Sequence, residues 1–136
     1  MTDENRRRNV ESELSRAAEA LTAAEALIAV RLAADALTRA YYGAFHLVRA
    51  LLLSRGVEPR SHQGAIHLFN VEFVRPGVMP ASHNRLLALL QRSRELADYD
   101  AAVAFTVEDA TDQTAQARAF EREVRARLLA DGMLSA

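Results

Sequence analysis

The sequence contains no cysteine, which excludes disulfide bonds and thiolate metal sites and is consistent with a reducing cytoplasm. Glycine and proline are scarce, with five and three residues among 136. Half of the residues are hydrophobic, and Ala, Leu, Glu and Arg dominate, a composition that favours helix. A chain of this length predicts one domain with a single core.

The sequence also lacks an apolar run long enough to span a bilayer. Glu25, Arg31 and Asp35 interrupt its Ala-rich region, well short of the roughly 20 apolar residues that a membrane helix needs. The N-terminal residues are charged and have no apolar signal core. We therefore expect no membrane partner and a cytoplasmic location.

Lysine is absent, so all 17 basic residues are arginine. The net charge of −1 gives no general attraction to nucleic acid. The planar guanidinium fork suits phosphate and carboxylate, although genomic base composition explains the same bias. The histidines at positions 62, 67 and 83 are dispersed and show no metal-site spacing, so we expect neither a metal nor a cofactor.

Hydrophobic periodicity predicts an all-α bundle of about five helices. The first helix is predicted from about Glu4 to Val30. The apolar stripe of the next segment is rotated away from that of the first helix, which predicts a turn near 29–33 without Gly or Pro. The first apolar seam consists of Val10, Leu14, Ala17, Leu21, Ala24 and Ile28.

The segment from Asp35 to Arg55 is predicted to be the helix that the others surround. Gly43 in its middle indicates a close approach by another backbone, since glycine costs a helix roughly 1 kcal/mol. One face carries an apolar stripe of Ala34, Leu37, Tyr41, Ala44, Val48 and Leu51. A neighbouring face carries a polar stripe of Asp35, Arg39, Tyr42, His46 and Arg49.

Stop and capping signals divide the remainder of the chain. Gly56 and Pro59 end the second helix, and Ser61 is predicted to cap a shorter third helix. Arg75–Pro80 is a turn-rich break.

The last two helices follow that break. The fourth is predicted from about Ala81 to Asp98, and Asp98–Phe105 is predicted to be an irregular connection. Thr106 with Asp109 predicts the cap of a final helix that ends near Ala130. The residues predicted to face inward on the fourth helix are Leu86, Leu89, Leu90 and Leu96.

Two stretches together resemble the HEPN family. They are RAYYGAFH at 39–46 and RSRELADYD at 92–100, and the resemblance covers about Ser12 to Arg127. It implies an up-down antiparallel helical bundle that pairs into a homodimer around a polar groove. Such domains are often encoded beside a minimal nucleotidyltransferase, which would be a partner.

The resemblance also implies chemistry. Many members are metal-independent ribonuclease toxins, in which an Arg and a His about four to six residues apart on a late helix act on the RNA backbone. Members paired with a nucleotidyltransferase often carry a Tyr two residues past that His, which the partner can adenylylate. Here Ala97 occupies the His position counted from Arg92, and alanine cannot transfer a proton. Counted from Arg94, the matching positions hold Tyr99, Asp100 and Ala101.

Seven residues form the candidate site, and each has a structural alternative. His46 is a ligand-facing imidazole or a hydrogen-bonded interface residue, and Asp98 a functional acid or an i,i+4 partner of Arg94. Tyr99 is a modified hydroxyl or the cover of a helix end. The candidates are Arg39, His46, Arg92 and Asp98 for catalysis, and Tyr42, Arg94 and Tyr99 for ligand binding or modification.

Three functions are open at this point. The first is a nucleotide- or RNA-directed HEPN-like domain in a toxin–antitoxin-type or nucleotidyltransferase-associated module, without the usual catalytic His. The second is an active metal-independent ribonuclease toxin with a substituted Arg, His, Asp and Tyr constellation. The third is a helical module that only binds other proteins.

Overall fold

The structure is a computed structural model that describes residues 2–99 and 104–135. Five α-helices are arranged as a bundle, and the described residues contain no strand. A π-helical turn, Asn70–Val74, continues the third helix. The helices are α1 (Asp3–Ala29), α2 (Ala33–Ser54), α3 (His62–Phe69), α4 (Ala81–Tyr99) and α5 (Val107–Ala130). The predicted all-α bundle is confirmed.

The predicted turn between α1 and α2 is confirmed, although its sequence contains no glycine. Arg31 takes the left-handed conformation, with φ of 66°, which glycine usually supplies at a helix end. The Leu32 N–H donates to the Leu27 carbonyl at 2.9 Å, and the Arg31 N–H donates to the Ile28 carbonyl. These two bonds satisfy the last carbonyls of α1 and fold α2 back along it.

The close approach predicted at Gly43 is the contact between α2 and α1. A Cβ atom at this position would lie 2.8 Å from both Cγ and Cδ2 of Leu21 and 3.4 Å from the Ala17 carbonyl oxygen. Leu21 and Ala17 are fully buried. The absence of a side chain at position 43 therefore sets how closely the two helices pack.

The central position predicted for the second helix is also confirmed. α2 contacts α1, α3, α4 and α5, and its apolar stripe lies in the core, except that Ala34 is half-buried. Tyr41 in this stripe is only 1% exposed. The polar stripe of α2 therefore follows one edge of a helix that is otherwise enclosed.

The capping predictions are confirmed. Ser61 Oγ accepts the Gly64 N–H at 2.9 Å, and Thr106 Oγ1 accepts the Asp109 N–H at 3.0 Å. Gly56, with φ of 73°, ends α2 as predicted. Each cap satisfies an N–H or carbonyl group that its helix leaves without a partner.

Two predictions about α4 are wrong. Leu89 does not face inward but is 44% exposed: the buried face runs through Leu86, Leu87 and Leu90, and Leu89 lies about 100° away from Leu90. The irregular connection was predicted to begin at Asp98, but α4 continues to Tyr99. Residues 100–103 of that connection lie outside the described ranges.

Within residues 2–99 and 104–135, no helix has both the length and the apolar character to cross a bilayer.

The contact at Gly43 gives a stability prediction. Gly43→Ala improves helix propensity by about 1 kcal/mol, yet we expect it to lower the free energy of unfolding by about 1–3 kcal/mol, because the added methyl overlaps buried Leu21. Urea denaturation measures the change. Ala115→Gly, at an exposed position of α5, is the control: it measures how much helix propensity alone changes the free energy of unfolding. A Gly43→Ala protein more stable than wild type would contradict this account of the packing.

Candidate functional site

A cleft of about 380 Å³ lies between α1 and α2. Three of the residues predicted on the polar stripe, Arg39, Tyr42 and His46, line its α2 side, since their spacing places them on one helix face. The small side chains Ala20 and Ala23 contribute to the opposite wall. The complete lining is Arg16, Glu19, Ala20, Ala23, Arg39, Tyr42 and His46.

Guanidinium groups dominate the charge of this cleft. Arg16 and Arg39 are exposed, and neither forms an ion pair with a residue in the ranges 2–99 and 104–135. The Arg39 guanidinium lies 5.1 Å from the centre of the Tyr42 ring, within cation–π distance. Glu19 is the acid in the lining. The cleft therefore offers two guanidiniums and a phenol ring to an anionic ligand.

His46 of the polar stripe is hydrogen-bonded to an acid from α1. Its Nδ1 atom lies 2.6 Å from Glu13 Oε2, and Arg49 Nε donates to Glu13 Oε1 at 3.2 Å. Glu13 is only 7% exposed. Burial opposes its ionisation, but the hydrogen bonds and charges of His46 and Arg49 outweigh burial and lower the pKa of Glu13.

An aromatic cluster adjoins the cleft. The Tyr41 hydroxyl and Nδ1 of His62 share a hydrogen bond of 2.6 Å, and the His62 ring stacks on Phe45 with centroids 4.1 Å apart. Burial raises the pKa of Tyr41 to about 12, so its hydroxyl keeps its proton at neutral pH. The pKa of His62 is lowered, first by burial and then by the nearby charges of Arg94, His46 and Arg49.

Arg94 is the α4 residue that reaches this cluster. Its guanidinium lies 4.8 Å from the Tyr41 ring centre and 5.9 Å from that of Tyr42. Asp98, one turn later, faces Arg94 at 3.9 Å, the i,i+4 pairing that was the structural alternative for this acid. Arg94 Nε is buried and has no hydrogen-bond partner in the part of the chain that the structure describes.

The single chain does not bring all seven predicted residues together. Arg92 and Tyr99 are exposed, Tyr99 by 88%. Arg92 is two residues from Arg94, or about 200° around the helix, so it points away from the aromatic cluster. Ala97, where the resemblance expects histidine, is half-buried. Roles for Arg92, Asp98 and Tyr99 in a site stay predictions.

Sequence reasoning missed the contribution of α1 and α3 to this region. Arg16 and Glu19 line the cleft, and His62 was set aside as one of several dispersed histidines. Glu13 had a detectable signal: it lies three residues after Val10 and four before Ala17, so its spacing places it at the edge of the buried seam. A charged residue in such a position needs a partner.

Comparison with known proteins identifies a family. The family model described as HEPN domain matches residues 10–127, nearly the whole chain, and confirms the resemblance seen in the two motifs. No curated protein matches the sequence.

Among the described residues, no three His, Asp or Glu side chains are grouped as a metal site would require.

The lowered pKa of His62 predicts a pH dependence of stability. As pH falls through 6.5, the ordinary value, the unfolded chain binds a proton at this residue before the folded chain does, so stability declines. His62→Gln should therefore lose less stability than wild type between about pH 7.5 and 5.5, as measured by urea denaturation. His67→Gln, at an exposed position of the same helix, controls for loss of a histidine. Parallel curves for wild type and His62→Gln would contradict the prediction.

Proposed function

The chain belongs to the HEPN domain family, and from this premise we propose that it binds RNA or a nucleotide without cleaving RNA by the family's usual route. The functions of this family are generally related to nucleotides and RNA. The proposal concerns the cleft between α1 and α2, where the predicted residues Arg39, Tyr42 and His46 meet.

The observation that carries the proposal is the combination of guanidiniums and an aromatic ring in one cleft. Arg16 and Arg39 have no carboxylate partner among the described residues, so their donors are available to phosphate oxygens. Tyr42 offers a ring beside them, and nucleobases stack on such rings in single-strand binding. Phosphate and base contacts together favour a nucleotide or a single-stranded RNA over a simple anion.

The absence of cleavage is supported by Ala97. The usual mechanism needs a general base on the late helix. The methyl side chain of Ala97 cannot accept or donate a proton. Arg94, which precedes it on α4, packs on the rings of Tyr41 and Tyr42.

RNA binding by the cleft is tested with a fluorescein-labelled single-stranded RNA and fluorescence anisotropy. Arg39→Ala should weaken binding about tenfold, since a hydrogen bond to a charged group contributes about 1.5–3 kcal/mol. It should also reduce the dependence of affinity on salt. Arg122→Ala removes the same charge from an exposed site on α5 and should have little effect. Equal weakening by both variants would show that binding is not located in the cleft.

One observation favours a second candidate, the metal-independent ribonuclease. Glu13 orients His46 through Nδ1, which is how a carboxylate prepares an imidazole for general base catalysis. Cellular RNA incubated with the protein and a chelator separates the two candidates. Cleavage by wild type that both His46→Ala and Arg39→Ala abolish would establish the ribonuclease, since both residues line the cleft.

The partners in this proposal are a second copy of the chain and a minimal nucleotidyltransferase, in a toxin–antitoxin-type module. HEPN domains commonly dimerise. The Tyr99 hydroxyl, on a side chain 88% exposed, is accessible to an enzyme that transfers an adenylate. Co-expression with such an enzyme should add the mass of an adenylate to wild type and not to Tyr99→Phe. An equal increase in both would exclude Tyr99 as the modified residue.

A further inference from the structure

The two nitrogen atoms of the His46 ring have different surroundings. Nδ1 faces Glu13 Oε2 at 2.6 Å, inside a contact that is almost closed to solvent, since Glu13 is 7% exposed. Arg49 donates to the other oxygen of the same carboxylate, so Glu13 cannot turn away from His46 without breaking that bond. The ring remains 20% exposed and lines the cleft.

The chemistry of the carboxylate decides which ring nitrogen carries the proton. An ionised carboxylate is only a hydrogen-bond acceptor, and the lowered pKa of Glu13 keeps it ionised at neutral pH. The opposite tautomer would place the Nδ1 lone pair against a carboxylate oxygen. Nδ1 therefore carries the proton, and the Nε2 atom of the neutral ring is an acceptor.

An acceptor at this position complements the other groups of the cleft. The guanidiniums of Arg16 and Arg39 only donate hydrogen bonds, so they suit phosphate oxygens and cannot accept from a hydroxyl. In RNA, the group that donates beside a phosphate and is absent from DNA is the ribose 2′-hydroxyl. When the ring is neutral, Nε2 of His46, which has no hydrogen-bond partner among the described residues, supplies the acceptor for that hydroxyl.

We propose that Glu13 is a positioning residue that fixes the tautomer of His46, so that Nε2 accepts a hydrogen bond from a ribose hydroxyl and the cleft prefers RNA to DNA. The ligand preference rests on the proposed function, whereas the tautomer does not. The two parts are therefore tested separately.

The tautomer is read from long-range proton–nitrogen correlation spectra of the histidine rings, recorded above about pH 8, where an ordinary imidazole is neutral. Wild-type His46, assigned by its loss in His46→Gln, should carry its proton on Nδ1. A wild-type ring protonated on Nε2 would overturn the proposal without any test of ligand binding.

Glu13→Gln tests whether the carboxylate is the cause. An amide both donates and accepts, so the variant should show the Nε2–H form in a substantial fraction. Glu11→Gln makes the same charge change at an exposed position of α1 outside the cleft and should keep the wild-type tautomer. An unchanged tautomer in Glu13→Gln, in a protein shown to be folded by circular dichroism, would remove Glu13 from this role.

The ligand preference is measured with ribose and 2′-deoxyribose oligonucleotides of one sequence, also above about pH 8, where an ordinary imidazole is neutral. Wild type should bind the ribose form about tenfold more tightly, as one hydrogen bond allows. Glu13→Gln should lose that preference, and Glu11→Gln should retain it. Equal wild-type affinity for both oligonucleotides would overturn the inference alone, whereas no binding of either would reject the proposed function.

Discussion

The contact between α1 and α2 at Gly43 is the constraint on which the candidate site depends. With only hydrogen on its Cα, Gly43 admits the side chain of Leu21, and the two antiparallel helices lie close together. Glu13 then meets His46 toward one end of this contact, and Ala23 lines the same cleft as Arg39 toward the other. The polar stripe of α2 thus forms one wall of the cleft, and α1 forms the other.

Glu13 of α1 is also important for the electrostatics of this region. Arg49, Arg94, His46 and His62 lie close enough to affect one another, and burial and the neighbouring cations hold the pKa of His62 below its ordinary value. The carboxylate of Glu13 is the counter-charge that contacts two of these four residues. If α1 moved by one turn, His46 and Arg49 would lose the Glu13 carboxylate. A buried charge without a partner destabilises the folded state.

The sequence was sufficient for features that depend on neighbouring residues. The caps at Ser61 and Thr106 follow from local backbone chemistry, and Gly43 was detectable because a glycine inside a helix is unfavourable unless packing requires it. The pairing of Glu13 with His46, 33 residues away, depends on how two helices align, which periodicity does not specify. The fourth helix shows the same limit: Leu89 and Arg92 were assigned by motif and composition, but the orientation of the helix in the bundle turns both toward solvent.

The location of the binding site can be tested directly by mapping backbone amide chemical shifts while a short single-stranded RNA is added to the labelled protein. The account predicts that the largest changes occur on both walls of one cleft, at Ala20 and Ala23 of α1 and at Tyr42 and His46 of α2. Changes confined to the solvent face of α4, around Arg92 and Tyr99, with α1 unaffected, would contradict it.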